Sequence, residues 1–251
     1  MYNFFIDKSN IKNGICFISG SDYNHLKNVL RMQTGDEILV SCEGVSNLCV
    51  IDKIEDDVAY AKIIAEDYND TNLPVKIYLF QGLPKSDKME FIIQKAVELG
   101  ITGIVPVEMN RCVVKLDDKK KKNKQSRWQA IAESAAKQSK RNSVPEVYDV
   151  MNYKSAVDFA KNLDVFMVPY ENKDGMISTV SALSEIKKGS SVGILIGPEG
   201  GFEDSEIDYA VDNGGKTVSL GKRILRTETA AVTAVGMCML YAEIKLNGEE
   251  E

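Results

Sequence analysis

Short apolar runs separated by turn residues fill the first seventy positions. Phe4-Phe5-Ile6, Ile15-Cys16-Phe17-Ile18, Glu37-Ile38-Leu39-Val40, Leu48-Cys49-Val50-Ile51 and the stretch from Ala59 to Ile64 are divided by Gly14, Gly20, Gly35-Asp36 and Gly44. That rhythm predicts short strands with tight connections. Only Ser21 to Arg31 breaks it, with His25, Leu26, Val29 and Leu30 at helical spacing. Regularly spaced short strands predict a small β-barrel over residues 1–70. The polar run from Asp67 to Asn72, just before Pro74, reads as a linker.

From Val75 the period changes, and residues 74–251 read as a second domain. Lys76-Ile77-Tyr78-Leu79-Phe80 has the continuous apolar character of a buried strand. Ser86 can cap a helix that buries Met89, Ile92, Ile93, Ala96, Val97 and Leu99 and ends at Gly100. Strands are expected at Ile104–Val107, Val165–Val168, Gly193–Ile196 and Thr217–Leu220. Helices are expected at Lys124–Ser139, Glu203–Asn213 and from Thr227 onward. Alternating strands and helices predict an α/β fold with a largely parallel sheet, whose ligands bind at the carboxyl ends of the strands. The last helix has almost no polar face between Ala230 and Tyr241. Such a helix must be covered on all sides, and a subunit interface is the easiest cover in a domain of this size.

Composition narrows the chemistry. The 251 residues are 44% apolar, enough for a real core, and no basic stretch followed by an apolar run marks a signal peptide. Read with the lack of an apolar run of the roughly 18–20 residues that span a bilayer, this points to the cytoplasm and to no membrane. Five scattered cysteines and one histidine, His25, argue against a disulfide framework, a metal site and a Ser-His pair. The net charge of −6 argues against nucleic acid until its distribution is read. Residues 115–141 hold ten Lys/Arg and three acids, a local +7 against a remainder of −13. Phosphate affinity follows local charge, so this run is either a polyanion site or a solvated lysine-rich loop.

Two segments concentrate glycine next to apolar strands. One is Leu195-Ile196-Gly197-Pro198-Glu199-Gly200-Gly201-Phe202. The other is Leu220-Gly221-Lys222-Arg223-Ile224-Leu225-Arg226-Thr227-Glu228-Thr229-Ala230. In each a strand runs into a glycine turn and then toward a helix. No Lys-Ser/Thr follows, and the glycine spacing is not that of a dinucleotide fingerprint, so phosphate-cradling chemistry fits poorly. A neutral or cationic ligand, such as an adenosine bearing a sulfonium, fits better. The plain alternative is that the glycines serve only tight turns.

These two segments resemble the C-terminal motifs of the ribosomal RNA small-subunit methyltransferase E family, of the SPOUT class. The likeness extends over about residues 20–235. His25-Leu26, Val29-Leu30-Arg31 and Gly35-Asp36 resemble its N-terminal domain. Lys85, Lys88 and Gln94 to Gly100 resemble its first α/β motif. Arg127-Trp128, Ala135-Ala136, Gln138-Ser139, Arg141 and Pro145 resemble its middle motif. The chain departs from it at Tyr2-Asn3-Phe4-Phe5, where family members often carry an arginine-rich strand.

The resemblance implies a PUA-like barrel followed by a trefoil-knotted parallel-sheet domain, a homodimer, and S-adenosylmethionine as cofactor. The implied reaction is methylation of N3 of one uridine, position 1498 in standard rRNA numbering, in the 16S rRNA of the small ribosomal subunit. It further implies that Leu195, Ile196, Gly197, Gly200, Leu220, Gly221 and Leu225 cradle the cofactor. Arg31, Lys85, Lys88, Lys95, Gln138 and Arg141 are then expected to meet RNA. Arg226 is expected at the uracil or its phosphate, or else in an ion pair with Glu199 or Glu228. Those two glutamates are candidate charge partners or proton acceptors, while Thr227 and Thr229 are expected to cap the last helix. His25 and Trp128 are expected to pack. Two other functions compete: an rRNA-binding or ribosome-assembly protein without catalysis on the same scaffold, and a nucleotide-dependent enzyme using the glycine turns. The intact turns favour methyl transfer over the first. The missing phosphate-binding lysine disfavours the second.

Overall fold

The computed structural model of the chain describes residues 1–170 and 175–246. Contacts divide the chain into Met1–Asn72 with Ser134–Val144, and Leu73–Glu133 with Pro145–Glu251.

The first unit is a curled six-stranded sheet of β1 (Asn3–Phe5), β2 (Ile11–Lys12), β3 (Ile15–Ser19), β4 (Glu37–Cys42), β5 (Val45–Glu55) and β6 (Val58–Ala65), in the order β1-β4-β5-β6-β3-β2. Helix α1 (Gly20–Asn24) and a single wide turn, His25–Val29, interrupt the strands where helical spacing was expected. Leu26 from that turn joins Phe4, Ile18, Ile38, Val40 and Ile51 in one apolar core, whereas His25 is exposed rather than packed. The segment Ser134–Val144 belongs to this unit because side chains fasten it there. Asn3 Nδ2 donates to the Arg141 carbonyl at 2.8 Å, and Lys137 pairs with Asp22 at 2.7 Å. The Thr71 hydroxyl donates to Asn142 Oδ1 at 2.7 Å. The run read as a linker is thus tied down: Tyr68 N–H also bonds the Ser46 carbonyl at 2.8 Å, and Asn72 Nδ2 the Gly44 carbonyl at 3.1 Å. Composition could not show these partners, which lie far away in sequence.

The second unit is a seven-stranded sheet of β7 (Lys76–Gly82), β8 (Gly103–Glu108), β9 (Glu146–Val147), β10 (Met151–Asn152), β11 (Val165–Pro169), β12 (Ser191–Ile196) and β13 (Lys216–Val218). The order is β10-β8-β7-β12-β11-β13, with β9 also on β8, and every pairing is parallel. Its central strands are largely apolar, as strands buried on both faces are, with Gln81 on β7 a buried polar exception.

The further helices among the described residues are α2 (Lys88–Glu98), α3 (Asp118–Gln138), α4 (Tyr153–Ala160), α5 (Met176–Ser184), α6 (Asp204–Asp212) and α7 (Thr227–Leu246). Helix α2 starts after Asp87, because Ser86 takes the left-handed φ of +59° and belongs to the preceding turn. Helix α3 starts six residues earlier than expected, at Asp118, where Asp117 Oδ1 accepts the Lys120 N–H at 2.8 Å. The lysine run is therefore helical, and acids distant in sequence offset part of it: Lys121 pairs with Glu108 at 2.7 Å and Arg127 with Glu90 at 2.8 Å. Trp128, on the same helix, is core at 4% exposure.

Helix α7 is 20 residues long and apolar enough by composition to cross a membrane. It extends the apolar stretch of Ala230 to Tyr241, in itself shorter than a bilayer span, at both ends. Ala231, Ala234, Val235, Cys238 and Ala242 are instead buried within the protein, where α7 packs on α2, β7 and β12. Leu240 and Ile244 remain 52% and 67% exposed.

Candidate functional site

The register of the central strands levels their carboxyl ends. Gln81 on β7 lies opposite Ile196 on β12, and Gly82 opposite Val107 on β8. Ligands of parallel sheets bind outside this edge.

From β12 the chain enters the first turn. The Gly201 N–H donates to the Pro198 carbonyl at 2.9 Å. A Cβ on Gly197 would lie 3.2 Å from the Gly201 carbonyl carbon and 3.3 Å from the Phe202 ring; one on Gly200 would lie 3.0 Å from the Arg111 Cβ. A side chain at either glycine would thus crowd the protein's own atoms. The second turn, Leu220 to Arg226, leaves β13 at the sheet edge and returns over β12 to begin α7. Gly221 supplies a φ of +102° there, which other residues rarely adopt. The Thr227 hydroxyl joins the two turns: it donates to the Gly197 carbonyl at 2.6 Å and accepts from Gln81 Nε2 at 3.0 Å. Thr227 is therefore a clasp between the turns as well as the first residue of α7.

Together the turns line an open cleft of about 960 Å³. Ile196, Leu220, Leu225 and Tyr170 give it apolar wall, and Gly197, Gly200 and Gly221 give it bare backbone. Leu195 is buried in the domain core and does not line it. At one side Lys88 Nζ bridges Glu199 at 3.0 Å and Glu228 at 3.2 Å, and the Lys85 N–H donates to Glu199 at 3.0 Å. Partial burial pulls the Glu199 carboxyl upward, but its own backbone N–H, the Lys88 ammonium and the Lys85 N–H outweigh this and hold it below the usual carboxylate range. The Glu199 carboxylate in turn raises the Lys88 ammonium above its ordinary value. The expected ion pair of Arg226 with Glu199 or Glu228 does not form, since Lys88 takes both. Arg226 lines the cleft, exposed.

The comparisons with known proteins agree with this architecture. The RNA methyltransferase domain family matches residues 71–239, and the RNA methyltransferase PUA domain family matches residues 18–64. A ribosomal RNA small subunit methyltransferase E from Bacillus subtilis (strain 168) is 40% identical over 257 aligned residues, covering 100% of each chain. This chain belongs to the ribosomal RNA small subunit methyltransferase E family. A solved methyltransferase E from Neisseria gonorrhoeae, bound to S-adenosyl methionine, is 32% identical with a TM-score of 0.81, covering 96% of this chain and 97% of its own. A putative methyltransferase from Legionella pneumophila, also in complex with that cofactor, is 28% identical with a TM-score of 0.82, covering 95% and 96%.

Within this methyltransferase E chain the residues expected to meet RNA separate. Lys88 is engaged by the two glutamates, and Lys95 pairs with Glu98 along α2 at 2.8 Å. Lys85 offers its exposed side chain beside the first turn. Arg31, Gln138 and Arg141 lie in the first unit. Arg31 and Gln138 are exposed, but Arg141 is only 6% exposed, and burial lowers the pKa of its guanidinium. Of the three, Arg141 is therefore the one enclosed rather than displayed at the surface. Sequence reasoning missed Gln81 and Arg111. Arg111 had one available signal: it follows β8 at the carboxyl edge where the site lies.

Proposed function

We propose that this chain is an S-adenosylmethionine-dependent methyltransferase that modifies N3 of one uridine, position 1498, in the 16S rRNA of the small ribosomal subunit, acting as a homodimer in the cytoplasm. The observation that carries the reading is the single cleft formed by two glycine turns at strand carboxyl ends and clasped by Thr227. The return from the sheet-edge strand β13 across β12 into α7 is read as the trefoil knot of the SPOUT class.

The residues present fit the cofactor. A cleft of about 960 Å³ has the size of a site for a nucleoside-bearing small molecule, with mixed apolar wall and bare backbone. Ile196, Gly197, Gly200, Leu220, Gly221 and Leu225 would hold S-adenosylmethionine. When bound, it supplies an electrophilic methyl group. Uridine N3 must lose its proton, and charge then develops on O2 and O4. Arg226, free of both glutamates, is available to donate there, and a fixed donor aimed at developing charge is the most effective device for such a step. Glu199 is a weak base at neutral pH because its carboxylate is held ionised. With Glu228 it positions Lys88 between the turns, so both glutamates act as braces of the cleft wall.

The homodimer reading rests on Leu240 and Ile244, large apolar side chains that stay exposed on a helix whose other side packs on α2, β7 and β12. Leu240→Asp with Ile244→Asp should leave a folded monomer in sedimentation. An unchanged dimer, or a monomeric wild type, would overturn it.

Calorimetry with S-adenosylmethionine and with ATP, followed by methyl transfer to small-subunit RNA, tests the function. Binding of the first ligand alone, with transfer, is expected. Cofactor binding without transfer would instead mark an assembly protein. ATP binding would mark another enzyme class.

A further inference from the structure

Arg111 is held in place by a built loop. The Asn110 N–H donates to Glu206 Oε1 at 3.0 Å, Asn110 Nδ2 to Glu203 Oε2 at 2.7 Å, and the Cys112 N–H to the Met109 carbonyl at 3.1 Å. From there Arg111 Nη1 donates to the Gly200 carbonyl at 3.1 Å, and its Cβ fills the space that Gly200 leaves. A guanidinium has five N–H donors in a rigid fork, and one carbonyl engages one of them. The side chain is exposed and lines the cleft.

Charge around it is one-sided. Lys88, Arg111, Lys222, Arg223 and Arg226 line the cleft against Glu199 and Asp204, on a chain of net −6. Glu199 is engaged by Lys88. Among the described residues Arg111, Lys222, Arg223 and Arg226 have no carboxylate within ion-pair distance. S-adenosylmethionine carries a sulfonium, an ammonium and one carboxylate, so surplus positive charge opposes it. A polyanion relieves that surplus.

We propose that Arg111 forms a phosphate subsite for the RNA strand that carries the target uridine, with Lys222 and Arg223 of the second turn adding charge. The inference rests on the reading of the cleft as an rRNA methyltransferase site. Its fork matches two oxygens of one phosphate, while its bond to Gly200 keeps it in register with the first turn.

The test uses the full chain and small-subunit RNA. Arg111→Gln should leave cofactor affinity within twofold and raise the KM for RNA roughly tenfold, the loss expected for one charge-assisted contact. The slope of log RNA affinity against log salt should shrink by roughly 0.7 to 0.9. Arg111→Lys should keep the slope but not the KM, because the charge survives and the fork does not; it also decides the matter if Arg111→Gln folds poorly. An unchanged slope and KM in Arg111→Gln would overturn the subsite. So would a tenfold loss of cofactor affinity at unchanged slope, which would make Arg111 a cofactor or turn residue. RNA binding needs no turnover, so a wild type that binds RNA but transfers no methyl group would defeat the functional reading while the salt slope still judged Arg111.

Discussion

The two glycine turns share a sequence pattern but differ in how the protein uses them. The first is filled by the chain itself. Phe202 and Gly201 press on Gly197, Arg111 presses on Gly200, and Glu199 is held by Lys88 and the Lys85 N–H. The second is open. Ile224 is 100% exposed, Lys222, Arg223 and Arg226 are exposed, and nearest to a Cβ on Gly221 is only Arg223 Nη2 at 3.6 Å. The difference teaches that a glycine-rich turn near a ligand site need not be shaped by the ligand. The first turn is a finished wall. The second displays charged side chains, Arg226 among them, that are assigned to the substrate, while its Leu220, Gly221 and Leu225 are assigned with the first turn to the cofactor.

The sharpest way to break this contrast is at Arg226. If the open arm serves the substrate, Arg226→Ala should lower turnover on the order of a hundredfold, as for one lost oxyanion donor, and change cofactor affinity little. Calorimetry beside a methyl-transfer assay separates the two effects. Loss of the cofactor would place Arg226 in the wall instead.

Next comes the clasp. Thr227→Val keeps the shape but removes the hydroxyl that joins Gly197 and Gln81, leaving both buried partners short of a bond. A cost of about 1–3 kcal/mol follows from buried unsatisfied groups. Thermal unfolding should show it as a lower Tm, together with weaker cofactor binding. An unaltered Tm would mean that the turns stand independently.

A smaller effect belongs to acid. Glu199 has a folded pKa below its ordinary value of 4.5, so its stabilising contribution is present above that pH and is lost as pH falls below it. Wild type should therefore lose Tm more steeply than Glu199→Gln between about pH 5 and pH 3, modestly, since the pair is partly solvated. Parallel curves would remove Glu199 from the wall. Smallest of all is Ile224→Ser, which should leave the Tm within the range of surface substitutions, about 0.5 kcal/mol, because nothing packs on that side chain. A clear drop would show that the second turn is also packed.

The sequence made the strand-and-helix alternation legible because central parallel strands are apolar runs and their helices bury a regular stripe. Both turns were legible because glycine, strand and helix start coincide. What stayed hidden depended on distant partners. Thr71, Asn3 and Asp22 draw Ser134–Val144 into the first unit, and no local pattern announces them. Lys88 was read as a phosphate contact because its two glutamates lie more than a hundred residues away. Helix α4 was legible but missed: Asn152 caps it by accepting the Ser155 N–H at 2.9 Å, ahead of Ala156, Val157 and Ala160.

The central claim is that this cleft methylates N3 of one uridine. Mass spectrometry of 16S rRNA from cells lacking the protein, restored with wild type or Arg226→Ala, tests it most directly. The account predicts that the N3-methyl mark at position 1498 disappears on deletion, returns with wild type, and stays largely absent with Arg226→Ala. A mark that persists in the deleted cells, or that Arg226→Ala restores as fully as wild type, would contradict it.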